Sequence, residues 1–142
     1  MSLVASVTLL DQLSKVCALN WLPAGESVPL IPSVFHLTLV RNTGIAFGFF
    51  REHETLLFIL ISFSLIFLFF LGFRVSRQET LEGRALALIL GGAVGNWIDR
   101  IRFHAVIDFL DFRVWPVFNL ADSAITIGVG LYLLLLFRKA KS

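Results

Sequence analysis

Charge is what this chain has least of. Only 15 % of its 142 residues are Asp, Glu, Lys or Arg, where a soluble domain carries about a quarter. With 57 % hydrophobic residues and a mean hydropathy of +0.85, that shortage excludes an ordinary soluble domain. Cysteine is almost absent. Cys17 stands alone in an apolar run, so no internal disulfide is possible and no cysteine-based metal site is indicated. No His/Glu cluster has ligand spacing, which argues against a metal-dependent hydrolase and leaves no cofactor to expect. The net charge of +2 comes without a basic stripe interleaved with exposed aromatics, so nucleic acid is excluded as a partner.

What remains is grease in four blocks. Leu56–Phe73 runs 18 residues without a charge, about 27 Å as a helix and enough to cross a bilayer. Around it the pattern predicts an all-α integral membrane protein of one domain, residues 1–142. Its spans fall at about 2–19, 56–73, 85–101 and 119–137, with segments 20–54 and 102–118 on one face. The first block fits a signal peptide poorly, since it lacks a basic start and Asp11 and Lys15 interrupt it. As a helix it places Thr8, Asp11 and Lys15 on one stripe. Asp11 and Lys15 form an i, i+4 pair in the favourable order, readable either as a buried structural ion pair or as part of a site.

Residues 20–54 are broken by Pro23, Gly25, Pro29 and Pro32, and then Val34–Val40 alternates as a short strand. Asn42 and Gly44 signal a turn. A small β element resting on the bilayer follows, with Ala46–Phe50 as an apolar clamp and His36 and His53 read as interfacial groups. In the third span Gly91 and Gly95 make a GxxxG step suited to close helix packing, and no strand precedes it as a nucleotide-binding loop would need. Gly92, Asn96 and Asp99 share a face, with Arg100 beside it. In the fourth, Asn119, Asp122, Ser123, Thr126 and Gly130 make a polar and small stripe, with Asn119 placed to cap the helix and Asp122 in its first turn.

Four spans put both termini on one side. The 74–84 connection and the tail after Phe137 are short and hold six Lys/Arg; the longer segments opposite hold four, or five with Arg100 at the adjoining end of the third span. The termini are thus expected in the cytoplasm. Asn42, Gly44, Asn96, Asp99, Arg100, Asp108 and Asp122 then meet near the outer leaflet surface, with Lys15 toward the same end. Ionisable groups at membrane depth are functional candidates by default. Two carboxylates brought together can share one proton, one acting as base and the other as acid. The pair Asp108 and Asp122 is accordingly expected to hydrolyse a peptide bond. Two rivals are a Ser/Lys protease using Ser123 with Lys15, and a non-enzymatic bundle with a proton relay. The relay is disfavoured because the inner halves of the last three spans carry no acids.

Five blocks in order carry a resemblance over nearly the whole chain: Asp11-Gln12-Leu13-Ser14-Lys15; Asn42-Thr43-Gly44-Ile45-Ala46-Phe47; Gly91 to Arg100 (GGAVGNWIDR); Val106-Ile107-Asp108-Phe109; and Phe118-Asn119-Leu120-Ala121-Asp122-Ser123. The sequence resembles the bacterial lipoprotein signal peptidases, membrane aspartyl proteases of type II. The resemblance implies four transmembrane helices in the bacterial inner membrane, with a small periplasmic β-cradle and a periplasmic loop or short helix over the site. It implies cleavage of lipid-modified prolipoproteins before a diacylglyceryl cysteine, and inhibition by globomycin. Its catalytic aspartates fall on Asp108 and Asp122. Asn42, Asn96, Arg100 and Asn119 match positions around the site, and Asp11, Lys15 and Asp99 match supporting ones. Asp111 is a third acid nearby, and it is the family pattern that selects Asp108 over it.

Overall fold

The computed structural model describes residues 2–44, 54–75 and 80–140. The expected clamp at Ala46–Phe50, and His53 beside it, lie outside these residues. Four helices and three strands follow in order: α1 (Ser2–Trp21), β1 (Ser27–Ile31), β2 (Phe35–Asn42), α2 (Glu54–Val75), α3 (Leu81–Phe103), β3 (Val106–Asp111) and α4 (Leu120–Lys139). Helices form over all four expected stretches, each ending two residues beyond the expected bound. Among the described residues one helix, α4, is long and apolar enough by composition to cross a membrane.

α3 is the hub, packing against α1, α2 and α4. Glycine makes the contact with α4 close enough to matter. A Cβ at Gly92 would run into the Ala121 carbonyl oxygen, and one at Gly128 would lie 2.7 Å from that of Ala85. The close approach on α4 is therefore at Gly128 and not at Gly130, which faces open space. On the other side, Gly91 admits Val7 of α1, and Thr8 Oγ1 donates to the Gly91 carbonyl at 2.9 Å. The GxxxG step thus serves the α1–α3 contact.

The packing is inverted relative to a soluble bundle. Asp11, Lys15 and Asp99 are buried between helices, whereas Leu9, Leu10 and Leu13 of α1, Phe63, Phe67 and Phe70 of α2, and Leu134 and Phe137 of α4 face outward. An apolar exterior of this extent belongs in lipid. An apolar crevice of about 980 Å³ opens between α1, α2 and α3, lined by Leu9, Leu65, Phe69, Leu90 and Val94. The buried carboxylates do not line it.

The strands form one antiparallel sheet in the order β1-β2-β3. β2 matches the expected strand. β1 and β3 are additions to it, and segment 102–118, expected only as a connection on one face, holds β3 and a return after it. β1 carries Pro29, tolerated because the strand lies at a sheet edge and its register shifts there. β3 is buried along most of its length and so lacks the alternation that betrays a half-exposed strand. After β3 the chain folds back: Phe118 N donates to the Leu110 carbonyl at 3.0 Å and Leu110 N to that of Phe118 at 2.8 Å. Phe112 stacks on Phe118 at 5.8 Å and contacts Phe35 at 4.8 Å between ring centroids. This return delivers Asn119 to the side of β3.

Candidate active site

Asn119 is the N-cap of α4, extended in backbone, with Oδ1 accepting from Asp122 N at 2.9 Å. Asp122 Oδ2 accepts in return from Asn119 N at 3.3 Å, completing a capping box. Such a box satisfies orphan donors of the first turn and places a carboxylate where the helix dipole favours it. With Oδ1 committed to the cap, the Asn119 amide N–H groups point away from α4. Nδ2 donates to Asp108 Oδ1 at 2.7 Å and to Asn96 Oδ1 at 3.1 Å, with the Ile107 carbonyl at 3.3 Å. One asparagine therefore touches both candidate carboxylates.

Each carboxylate has a second amide. Asn42 Nδ2, at the end of β2, donates to Asp108 Oδ2 at 3.0 Å, and Asn96 Nδ2 from α3 donates to Asp122 Oδ1 at 2.8 Å. The expected turn follows Asn42, whose Oδ1 accepts from Gly44 N at 3.1 Å. Arg100 Nη2 donates to the Gly44 carbonyl at 3.2 Å and Nη1 to that of Asn96 at 3.3 Å. Arg100 thus braces the turn carrying Asn42, leaving the carboxylates to the amides.

Asp108 is 2 % exposed. Burial, with the charge of Asp122 adding to it, pushes its carboxyl up to about 7 against the opposing pull of the Asn42 and Asn119 hydrogen bonds and of Lys15. Near neutrality this group exchanges a proton readily, as an acid–base catalyst must. Asp111 differs. Burial opposes its ionisation, but the Thr38 hydroxyl, at 2.7 Å, and the Arg113 N–H and guanidinium outweigh it and hold the carboxyl below the usual range. It sits opposite His36 in the sheet, in its own set of hydrogen bonds. The two acids, both open on chemistry alone in the sequence, thus sit in opposite surroundings: the carboxyl of Asp108 is raised and that of Asp111 held low.

Beneath the pair lies a charged cluster. Lys15 Nζ stands 2.8 Å from Asp11 Oδ2, 2.8 Å from Asp99 Oδ2 and 2.8 Å from Asn96 Oδ1. Asp11 Oδ1 accepts from Ala121 N at 2.9 Å and Asp99 Oδ2 from Ile107 N at 3.1 Å. The cluster thereby ties α1 and α3 to the start of α4 and to β3. Gly95 leaves room for the Asp11 carboxylate. Removing one partner from such a cluster typically costs about 3–5 kcal/mol, because the others remain buried and unpaired.

Every anticipated residue, Asp11, Lys15, Asn42, Gly44, Asn96, Asp99, Arg100, Asp108, Asn119 and Asp122, belongs to this connected set. Gln12 is a member that sequence reasoning misses. Its Nε2 donates to Asp99 Oδ1 at 2.9 Å and the Gly95 carbonyl at 3.1 Å; its i, i+4 spacing from Thr8 was the available signal. The Ser/Lys alternative has no geometry. Ser14 and Ser123 donate back to the carbonyls of Asp11 and Asn119, and Lys15 is engaged with carboxylates and Asn96.

Similarity to known proteins exists at three levels. Residues 3–138 match the family described as signal peptidase (SPase) II. Relatives named lipoprotein signal peptidase include that of Halothermothrix orenii, 45 % identical over 138 residues (97 % of this chain, 94 % of the relative). That of Moorella thermoacetica is 46 % identical over 124 residues (87 % and 82 %). A bacterial membrane enzyme solved by the in meso method at 2.3 Å superposes with a TM-score of 0.88 at 33 % identity, covering 97 % of this chain and 87 % of that one. A second, at 1.9 Å, gives 0.82 at 34 % identity, covering 94 % and 89 %. The chain belongs to the signal peptidase II family, the aspartic endopeptidases of bacterial membranes.

Proposed function

We propose that this membrane endopeptidase removes signal peptides from diacylglyceryl-modified prolipoproteins, cutting before the lipidated cysteine, with a water activated between Asp108 and Asp122. The observation that carries the reading is the single asparagine, Asn119, that caps α4 at Asp122 and donates to Asp108. Asp122, with donors from Asn96 and the Asn119 backbone, is the ionised base; Asp108, easily protonated, is the acid. Asp122 takes a proton from the water as its oxygen attacks the scissile carbonyl carbon. Asp108 gives its proton to the carbonyl oxygen. When the tetrahedral intermediate collapses and the C–N bond breaks, that oxygen returns its proton to Asp108. Asp122 passes its own to the leaving amine.

The same reading extends to topology. Four helices span the inner membrane with both termini cytoplasmic, and the sheet and carboxylates lie near the outer leaflet as a periplasmic cradle. Inward-turned charges on α1 and α3 and an apolar exterior support four spans. Partners are the lipidated substrate, surrounding membrane lipid and a globomycin-type inhibitor competing at the site. A gel-shift cleavage assay in detergent with a diacylglyceryl-modified prolipoprotein tests it. Asp108→Asn and Asp122→Asn should abolish cleavage while Asp111→Asn cleaves. Cleavage by either of the first two variants, or none by wild type, would refute the proposal.

A further inference from the structure

The mechanism above leaves Lys15 without a task, although it is 2 % exposed and lies one side chain away from Asp122. A structural ion pair needs only its carboxylates. Here the three N–H groups of the ammonium have three acceptors, and the third is a neutral amide oxygen, Asn96 Oδ1. That bond fixes a choice the amide cannot make alone. With Oδ1 accepting from Lys15 and from Asn119 Nδ2, only Nδ2 of Asn96 can face Asp122. Flipped, the amide would set its NH2 group against the ammonium and against a second NH2, and would aim an oxygen at a carboxylate.

We infer that Lys15 is a positioning residue for the cleavage reaction, locking Asn96 in the orientation that donates to Asp122 and so keeping the ionised carboxylate on α4. The inference rests on the assignment of Asp108 and Asp122 as the acid–base pair. Asp108 is the group through which it is read. Facing Asp108 are Asp122 from α4, Lys15 from α1 and Arg100 from α3, with the amides of Asn42 and Asn119 in direct contact. The Lys15 charge favours the ionised form of Asp108, so altering it moves the pH at which the acid is lost.

The test uses the full chain in detergent, with kcat and KM followed across pH for wild type, Asp99→Asn and the double variant Lys15→Gln/Asp99→Asn. In the double variant the buried trio keeps its net charge of −1, since one cation and one anion are removed together. Asp99→Asn keeps the ammonium on Asn96 with less compensation, and its alkaline limb should move down by about half a pH unit. The double variant should lose about tenfold or more in kcat with KM within about twofold, and its limb should move up by about one pH unit. A purely structural Lys15 predicts lowered melting temperatures with wild-type kcat in the folded fraction, which would overturn the inference; its charge moves the limb in either case. If the double variant does not fold, Lys15→Gln/Asp11→Asn, which also keeps the trio at −1, decides: kcat within about twofold of wild type overturns it. Asp108→Asn and Asp122→Asn are assayed alongside. Cleavage by either sinks the underlying assignment, whereas inactivity of both with wild-type kcat in the double variant sinks the role of Lys15 alone.

Discussion

Replacing Asp108 by asparagine should make the protein inactive and, at alkaline pH, more stable. The Asp108 carboxyl rises from 3.8 to about 7 on folding, so over that interval the folded chain holds a proton that the unfolded chain has released. A group raised in this way contributes stability fully present below 3.8 and lost as pH climbs through about 7. At about 1.36 kcal/mol per pH unit, the loss amounts to as much as about 4 kcal/mol by pH 8. The substituted amide does not titrate. Its oxygen still accepts from Asn119, but its NH2 group faces the Asn42 amide and forfeits that hydrogen bond, a cost of about 1–2 kcal/mol. The stability curves should therefore cross. Below about pH 5 the variant is the less stable, and at pH 8 it is the more stable by about 2–3 kcal/mol. Thermal unfolding in detergent, followed by tryptophan fluorescence at several pH values, measures both limbs. Parallel curves, or a variant weaker at pH 8, would refute the reasoning about this carboxyl.

Other expectations follow from the same geometry. Asn42→Ala removes a hydrogen bond that favours ionised Asp108, so the alkaline limb of kcat should move up by about one pH unit; a downward move would contradict the assignment of Asp108 as acid. Gly92→Ala drives a methyl into the Ala121 carbonyl, and backbone on both sides leaves little room to yield. A loss of about 2 kcal/mol or more is expected with falling activity, whereas Gly130→Ala meets open space and should be neutral or stabilising by about 0.5–1 kcal/mol. Paired melting curves separate the two. Asp111→Asn should keep cleavage and cost about 0.5–1 kcal/mol above pH 5. Because the Asp111 carboxyl lies below the usual range, that cost should fade as pH falls through its titration.

The helices were legible in the sequence because lipid asks one thing of a residue, and the runs answer it. So was the polar stripe Thr8, Asp11, Lys15, since a charge amid grease stands out wherever it falls. The sheet was harder. β1 contains Pro29, a breaker by composition that an edge strand tolerates, and β3 is covered so completely that no alternation survives. What no spacing predicts is the return at Leu110–Phe118, because it depends on backbone hydrogen bonds and on Phe112 packing against both Phe118 and the distant Phe35. That return brings Asn119 to Asp108. The members of the site could be collected from local patterns, but the hydrogen bonds joining them come from tertiary structure. Gln12 shows the difference: it was visible as a polar residue on a helix, and only packing revealed that it reaches Asp99.

The capping box at Asn119 ties two histories together. The amide that closes the first turn of α4 also contacts Asp108, and the carboxylate that completes the box is Asp122. Winding that turn and arming the site are one event. With that first turn unwound, Asp122 loses its seat against the Asn119 backbone, and Asp108 loses the Asn119 amide and keeps the donor of Asn42. A chain caught at that stage would lack the arrangement on which the proposed cleavage depends, so the proposed activity waits on the last helix.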